Sequence, residues 1–245
     1  MDRTIERAGN FLPRVDESAG NPNAVDRRVV TLTAPASAAA EQYRTLYYRL
    51  ERMREVKPMK LIAFTSAMPG EGKTVTAVNL ALAAARANSE RRILLIDADL
   101  RRSQVAEVLG IRGKLGLAEL LAGECDVRDV VRRFNSTKLA VIPAGSTPEE
   151  PTQVLAGSRM KQFLKAVREN FDEVYIDLPP TLPFADATIL SHQADGVLMV
   201  VRANVTPTKA INLAVEQLGG APILGCVLNG AEVTPTPYLK NYMKK

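Results

Sequence analysis

Ala67-Met68-Pro69-Gly70-Glu71-Gly72-Lys73-Thr74 (AMPGEGKT, 67–74) follows the apolar run LIAFTS and precedes an Ala-rich stretch reaching about Asn88. A buried strand, a tight glycine turn and a helix, in that order, predict a loop that cradles phosphate. Gly70 and Gly72 let the main chain turn so that successive N–H groups and the positive end of the next helix point at anionic oxygens. Lys73 then reaches the outer phosphates, and Thr74 supplies a hydroxyl for the magnesium that bridges them. Met68, Pro69, Glu71 and Thr76 fill out the expected nucleotide-binding set.

Two further segments, ILLIDADLR at 93–101 and VYIDLPP at 174–180, place Asp97, Asp99 and Asp177 at the ends of apolar runs. In open α/β sheets, ligands bind at the carboxyl ends of the strands. Carboxylates have a use there, because a hard divalent cation needs oxygen ligands and an attacking hydroxyl needs a proton acceptor. Thr74, Asp97, Asp99 and Asp177 are the expected metal set. The same aspartates also suit a second task, capping the turn or helix that follows each strand.

Strand-like runs near 60–65, 92–97, 139–142, 173–177, 196–201 and 222–228 alternate with helical stretches, which predicts an α/β fold. The expected form is a single domain with an open, mostly parallel sheet flanked by helices and joined by right-handed crossovers. Residues 1–38 carry five acidic and five basic side chains without sustained periodicity and read as a flexible leader. Residues 39–230 read as the catalytic domain, its first helix over 39–57, and 231–245 as a mobile tail.

Taken together, these motifs resemble the catalytic domain of bacterial tyrosine kinases that govern capsule and exopolysaccharide assembly. LGLAELLAGE at 115–124 and ADGVLMVVR at 194–202 add weaker echoes. That family lies within the deviant phosphate-loop superfamily of partitioning ATPases, and two positions separate the groups here. Met68 stands where partitioning ATPases carry a signature lysine, and Arg101 where they usually have glutamine. The resemblance implies ATP and Mg2+ as cofactors, Lys73 as a catalytic phosphate contact, Asp97 as base toward a tyrosine hydroxyl, Asp99 and Asp177 as metal supports, and Arg101 as a brace for developing charge. Asn229, after the last strand, resembles a base-contacting position. An ATP-hydrolysing assembly switch without protein kinase activity stays open as the alternative.

The tail contains Tyr238 and Tyr242, whereas the family usually ends in a dense tyrosine cluster; these two are the candidate phosphoacceptors. Nine and thirteen residues past Asn229, they reach about 30 and 43 Å when extended, enough for transfer within or between chains. AAEQYRTLYYRLERM at 39–53 resembles the family's subunit-contact segment, Glu-x-x-Arg-x-x-Arg; Glu41 and Arg44 match and Tyr47 replaces the last arginine. Apolar or aromatic residues at 43, 46, 47, 50 and 53 form a stripe that packs on something, either the chain's own domain or a neighbour in a ring or dimer. The family also implies a transmembrane polysaccharide chain-length regulator as a separate chain and a cognate tyrosine phosphatase.

A net charge of +5 raises the question of nucleic acid, but the basic residues are dispersed with no aromatic-interleaved stripe, so none is expected. No apolar run approaches a membrane span, which predicts a cytoplasmic protein recruited to the inner face of the membrane by its partner. Cys125 and Cys226 lack metal-like spacing, and Cys226 is expected to be buried in a strand. His192, the only histidine, has no nucleophile beside it and reads as structural.

Overall fold

The computed structural model describes residues 24–134 and 137–232, together with the main chain of Ser18–Ala19. Tyr238 and Tyr242 lie outside the described residues. The strands are β1 (Ser18–Ala19), β2 (Leu61–Ser66), β3 (Ile93–Asp97), β4 (Arg132–Phe134), β5 (Leu139–Ile142), β6 (Glu173–Asp177), β7 (Gly196–Arg202) and β8 (Ile223–Asn229). They form one sheet in the order β1-β4-β5-β3-β6-β2-β7-β8, parallel except where β4 pairs with β5. Each of the six apolar runs became a strand of this sheet. β4 was not expected, because Arg132-Arg133-Phe134 offers no apolar run; it is held by pairing with its neighbours and by the buried Phe134 ring.

Alternate residues of the central strands feed two cores. Leu61 and Ala63 of β2, with Val174 and Ile176 of β6, face one side of the sheet. Ile62 and Phe64, with Tyr175, face the other. The first side is covered by α5 (Leu117–Ala122), α7 (Pro151–Ala156), α8 (Ser158–Asn170), α9 (Asp186–Ser191) and α10 (Thr208–Leu218), with α6 (Val127–Val130) beside α5. The second side is covered by α2 (Ala38–Val56), α3 (Lys73–Ala87) and α4 (Val105–Leu109). α3 is buried along almost its whole length, which its alanines permit by letting the sheet and α2 approach closely.

Residues 28–33, expected within the flexible leader, are instead anchored to the domain. Val29 is fully buried, α1 (Val30–Thr33) lies on α3, and Asn79 of α3 accepts from the Thr31 N–H and hydroxyl, both at 2.9 Å. The Asn79 amide in turn donates to the Arg28 carbonyl at 3.0 Å. Polar anchoring of this kind leaves no periodic trace in the sequence.

α2 starts at Ser37, whose hydroxyl accepts the Ala40 N–H. Its stripe packs on the chain's own domain: Tyr47 and Leu50 are buried, and Tyr43 and Leu46 pack beside them. Tyr47 and Arg54 reach Glu173 at the start of β6. The buried Glu173 carboxylate accepts from the Arg54 guanidinium at 2.6 Å, Arg91 at 2.9 Å, the Tyr175 hydroxyl at 2.5 Å and the Tyr47 hydroxyl at 3.3 Å. Glu41 and Arg44 stay on the outer face and pair with each other.

Cys226 also departs from expectation. β8 is the last strand of the sheet, and Cys226 and Leu228 are exposed there. Among the described residues, no helix is long and apolar enough to cross a membrane.

Candidate functional site

β2 delivers the chain to the loop at the centre of the sheet's carboxyl edge. Gly70 and Gly72 adopt φ of +83° and +93°, the left-handed region that glycine enters without steric cost. Gly72 is bound by space as well, because a Cβ there would lie 2.0 Å from the Asn229 amide nitrogen. The turn aims the start of α3, a helix of 15 residues, into the mouth of the loop.

Neighbouring elements brace this loop. The Ser66 hydroxyl donates to the Met68 carbonyl at 2.8 Å, and the Glu71 carboxylate accepts the Met68 N–H at 3.2 Å and the Thr206 hydroxyl. The Asn229 amide donates to the Glu71 carbonyl at 2.8 Å, and Arg202 reaches the Gly70 carbonyl at 3.4 Å. Met68 is exposed at the rim, and Thr76 is buried one turn into α3. Arg202 and Thr206 were not anticipated; a strand-end arginine and a threonine ahead of Pro207 carry no signal without the sheet order.

The three aspartates converge with Lys73 and Thr74. Lys73 Nζ donates to Asp99 Oδ2 at 2.8 Å and lies 3.5 Å from Asp177 Oδ2. The Thr74 hydroxyl donates to Asp177 Oδ2 at 2.6 Å. Asp177 Oδ1 is buried and, among the described residues, has no hydrogen-bond partner. An orphaned carboxylate oxygen beside a hydroxyl is the donor set a hard cation takes, with phosphate oxygens completing it. By themselves the described His, Cys, Asp and Glu residues form no cluster of three arranged to hold a metal.

Asp97 is differently employed. Its Oδ1 accepts the Asp99 N–H at 3.1 Å, and its Oδ2 accepts those of Gln104 and Val105 at 3.1 and 3.0 Å. It therefore ties down the loop between β3 and α4, the capping task that was the alternative use for these aspartates. Asp99 has a share in that task, accepting the Arg102 N–H at 3.0 Å.

Burial, reinforced by the Asp177 charge, pushes the Asp97 carboxyl up to about 8. Asp177 is raised as well, by burial that outweighs the Lys73 ammonium and the Thr74 hydroxyl. Burial alone would depress Lys73, but Asp177 and Asp99 overcome it and hold the ammonium firmly charged.

Arg101 does not join this group directly. Its guanidinium turns to Asp186, a fully buried carboxylate at the start of α9, with Nε to Oδ2 at 2.7 Å. Asp186 was missed, since an isolated aspartate after a proline-rich segment has no distinguishing spacing.

A family model described as an AAA domain matches residues 59–218. The chain is 34% identical over 212 residues to the tyrosine-protein kinase YwqD of Bacillus subtilis (strain 168), a match spanning 86% of this chain and 89% of that protein. It is 33% identical over 198 residues to the tyrosine-protein kinase Etk of Escherichia coli (strain K12), spanning 80% of this chain but only 27% of that longer protein. The solved kinase domain of Escherichia coli Etk superposes with a TM-score of 0.79 at 27% identity, over 98% of this chain and 90% of that one. The fold shared with that kinase domain, the AAA-domain match and the near-full-length likeness to a Bacillus kinase agree, and the chain belongs to the bacterial tyrosine-protein kinase family.

Proposed function

We propose that the chain transfers the terminal phosphoryl group of ATP to tyrosine hydroxyls, with Tyr238 and Tyr242 as acceptors on its own tail or a neighbour's. The observation that carries this reading is the open Asp177 Oδ1 beside the Thr74 hydroxyl and Lys73, at the mouth of α3. Lys73 offsets negative charge on the outer phosphates, and the main-chain N–H groups of the loop orient them. Mg2+, when bound, neutralises phosphate charge; Thr74 and Asp177 are the residues fitted to hold it, with Asp99 beside them. Asp97 accepts the proton leaving the tyrosine oxygen as that oxygen bonds to phosphorus and the bond from phosphorus to the departing ADP oxygen breaks. Arg101 opposes the charge that develops on the phosphoryl oxygens.

By likeness to its relatives, the chain works in capsule or exopolysaccharide production alongside a separate transmembrane chain-length regulator and a cognate phosphatase. Glu41, exposed on α2, and Arg44, half-buried beside it, are the residues offered to a second copy.

The test is tyrosine-resolved phosphopeptide mass spectrometry on the full chain with ATP and magnesium, with Lys73→Ala as control. Phosphate on Tyr238 or Tyr242 in the parent and its loss in the variant, by a factor of about 100 or more, is the expected result. A well-folded Lys73→Ala chain with undiminished transfer would sink the phosphate-loop assignment. The two tyrosines in the tail, few for this family, favour one second reading, an ATP-hydrolysing assembly switch; hydrolysis without phosphotyrosine would select it.

A further inference from the structure

Arg101, Thr152, Phe184 and Asp186 come from three separate stretches of chain and close around one guanidinium. Arg101 Nε donates to Asp186 Oδ2 at 2.7 Å, and Nη2 donates to the Thr152 hydroxyl at 2.8 Å and more loosely to Asp186 Oδ1 at 3.4 Å. The Thr152 hydroxyl donates to Asp186 Oδ1 at 2.5 Å, completing a ring of three side chains. The Arg101 guanidinium carbon lies over the Phe184 ring, 4.2 Å from its centroid. Arg101 has five N–H donors in a rigid fork. Among the described residues, the two on Nη1 have no partner, and the side chain keeps 28% of its exposure.

We propose that Asp186 is a positioning residue: with Thr152 and Phe184 it fixes Arg101 so that Nη1 is presented to the phosphate edge. This rests on the reading of Arg101 as the group that opposes developing charge. Two observations go beyond an ordinary ion pair. The clamp joins the two loops that carry the metal-side carboxylates, since Arg101 follows Asp99 by two residues and Asp186 follows Asp177 by nine. The carboxylate is fully buried while its arginine partner keeps part of its exposure, so the pair's attraction is set against a desolvation cost. Such a cost is intelligible where direction matters more than strength, and arginine, unlike lysine, has a fork whose direction can be set from one edge.

The test uses the full chain and compares affinity for Mg-ADP with affinity for Mg-ADP plus aluminium fluoride, a mimic of the transferring phosphoryl group. Asp186→Asn keeps the shape and removes the charge. It is expected to weaken the mimic complex about 10-fold or more while leaving Mg-ADP affinity within about 2-fold. Arg101→Ala should show the same split, and the double variant should lose no more than Arg101→Ala alone, because both changes remove one interaction. Thr152→Val, a milder change, should show the same pattern at smaller size if Asp186→Asn proves poorly folded.

Equal loss of both ligands, or losses that add in the double variant, would make Asp186 a structural residue and overturn the proposal. A parent chain with no preference for the mimic, or an Arg101→Ala chain that retains it, would overturn the Arg101 reading and the clamp together. Phosphotyrosine is read in parallel: its absence with the mimic preference intact would remove the kinase reading and leave the clamp standing.

Discussion

The two ends of β6 carry buried acids that live in opposite circumstances. Glu173 at the amino end accepts four donors, two guanidinium groups and two tyrosine hydroxyls. Asp177, four residues and about 13 Å along the same strand, has one oxygen engaged and the other bare. Burying a charge is tolerable only when partners replace the water it loses. The first end is therefore finished as it stands and fastens α2 to the sheet. The second is left short of partners in a place where a cation, shared with phosphate oxygens, would supply the missing contact.

That contrast yields predictions of decreasing size. Glu173→Ala leaves Arg54 and Arg91 with Glu51 as their one shared acid and takes the acceptor from the Tyr175 hydroxyl; it is expected to cost about 3 kcal/mol, lowering Tm by on the order of 10 °C in a chain of this length. An unchanged Tm would mean that the first end is not a fastening point. At the second end the sign reverses. Asp177→Asn relieves a carboxyl whose charged form is disfavoured, and the nucleotide-free chain should gain about 1 kcal/mol. The same variant should lose the magnesium-dependent part of nucleotide affinity, measurable by calorimetry with and without the metal.

A pH series sharpens the comparison further. Asp97 titrates at about 8 in the folded chain against about 3.9 when unfolded, so the folded state binds the extra proton between those values. Stability of the nucleotide-free chain should then fall as pH rises from about 4 to about 8, seen as a declining urea midpoint; with magnesium and nucleotide present the slope should shrink. A flat profile would show that the carboxyl edge carries no such strain.

The smallest effect belongs to His192, whose ring nitrogens face the carbonyls of Thr188 and Gly219 and whose pKa is raised by them. Its contribution is full below about 6.5 and is lost as pH climbs through the folded value. His192→Gln should remove that dependence, and proton NMR of the imidazole would locate the midpoint.

Much of the sheet could be read from the chain because its central strands are buried on both faces and so appear as unbroken apolar runs. The glycine turn and the strand-end aspartates were legible because they sit where apolar runs end, and the structure brings them to one edge of the sheet. Asp97 was legible as a strand-end carboxylate but not in its detailed employment, since the number of main-chain N–H groups it anchors depends on how the 98–105 loop folds back. Asp186, Arg202, Thr206 and the Thr31–Asn79 anchor were out of reach, each being a polar contact between distant segments. Tyr47 shows the intermediate case, where periodicity gave its buried face and only the fold supplied Glu173 as its partner.

The close approach of Asn229 to the phosphate loop has a mechanical consequence. Its amide sits where any side chain at position 72 would have to go and holds the Glu71 carbonyl at 2.8 Å. The last strand is thereby hitched to the loop by a single link, and the chain leaves that strand one residue later, at Gly230. Where the chain departs from the sheet and where the loop turns are thus tied at one point, so a shift of either moves the other.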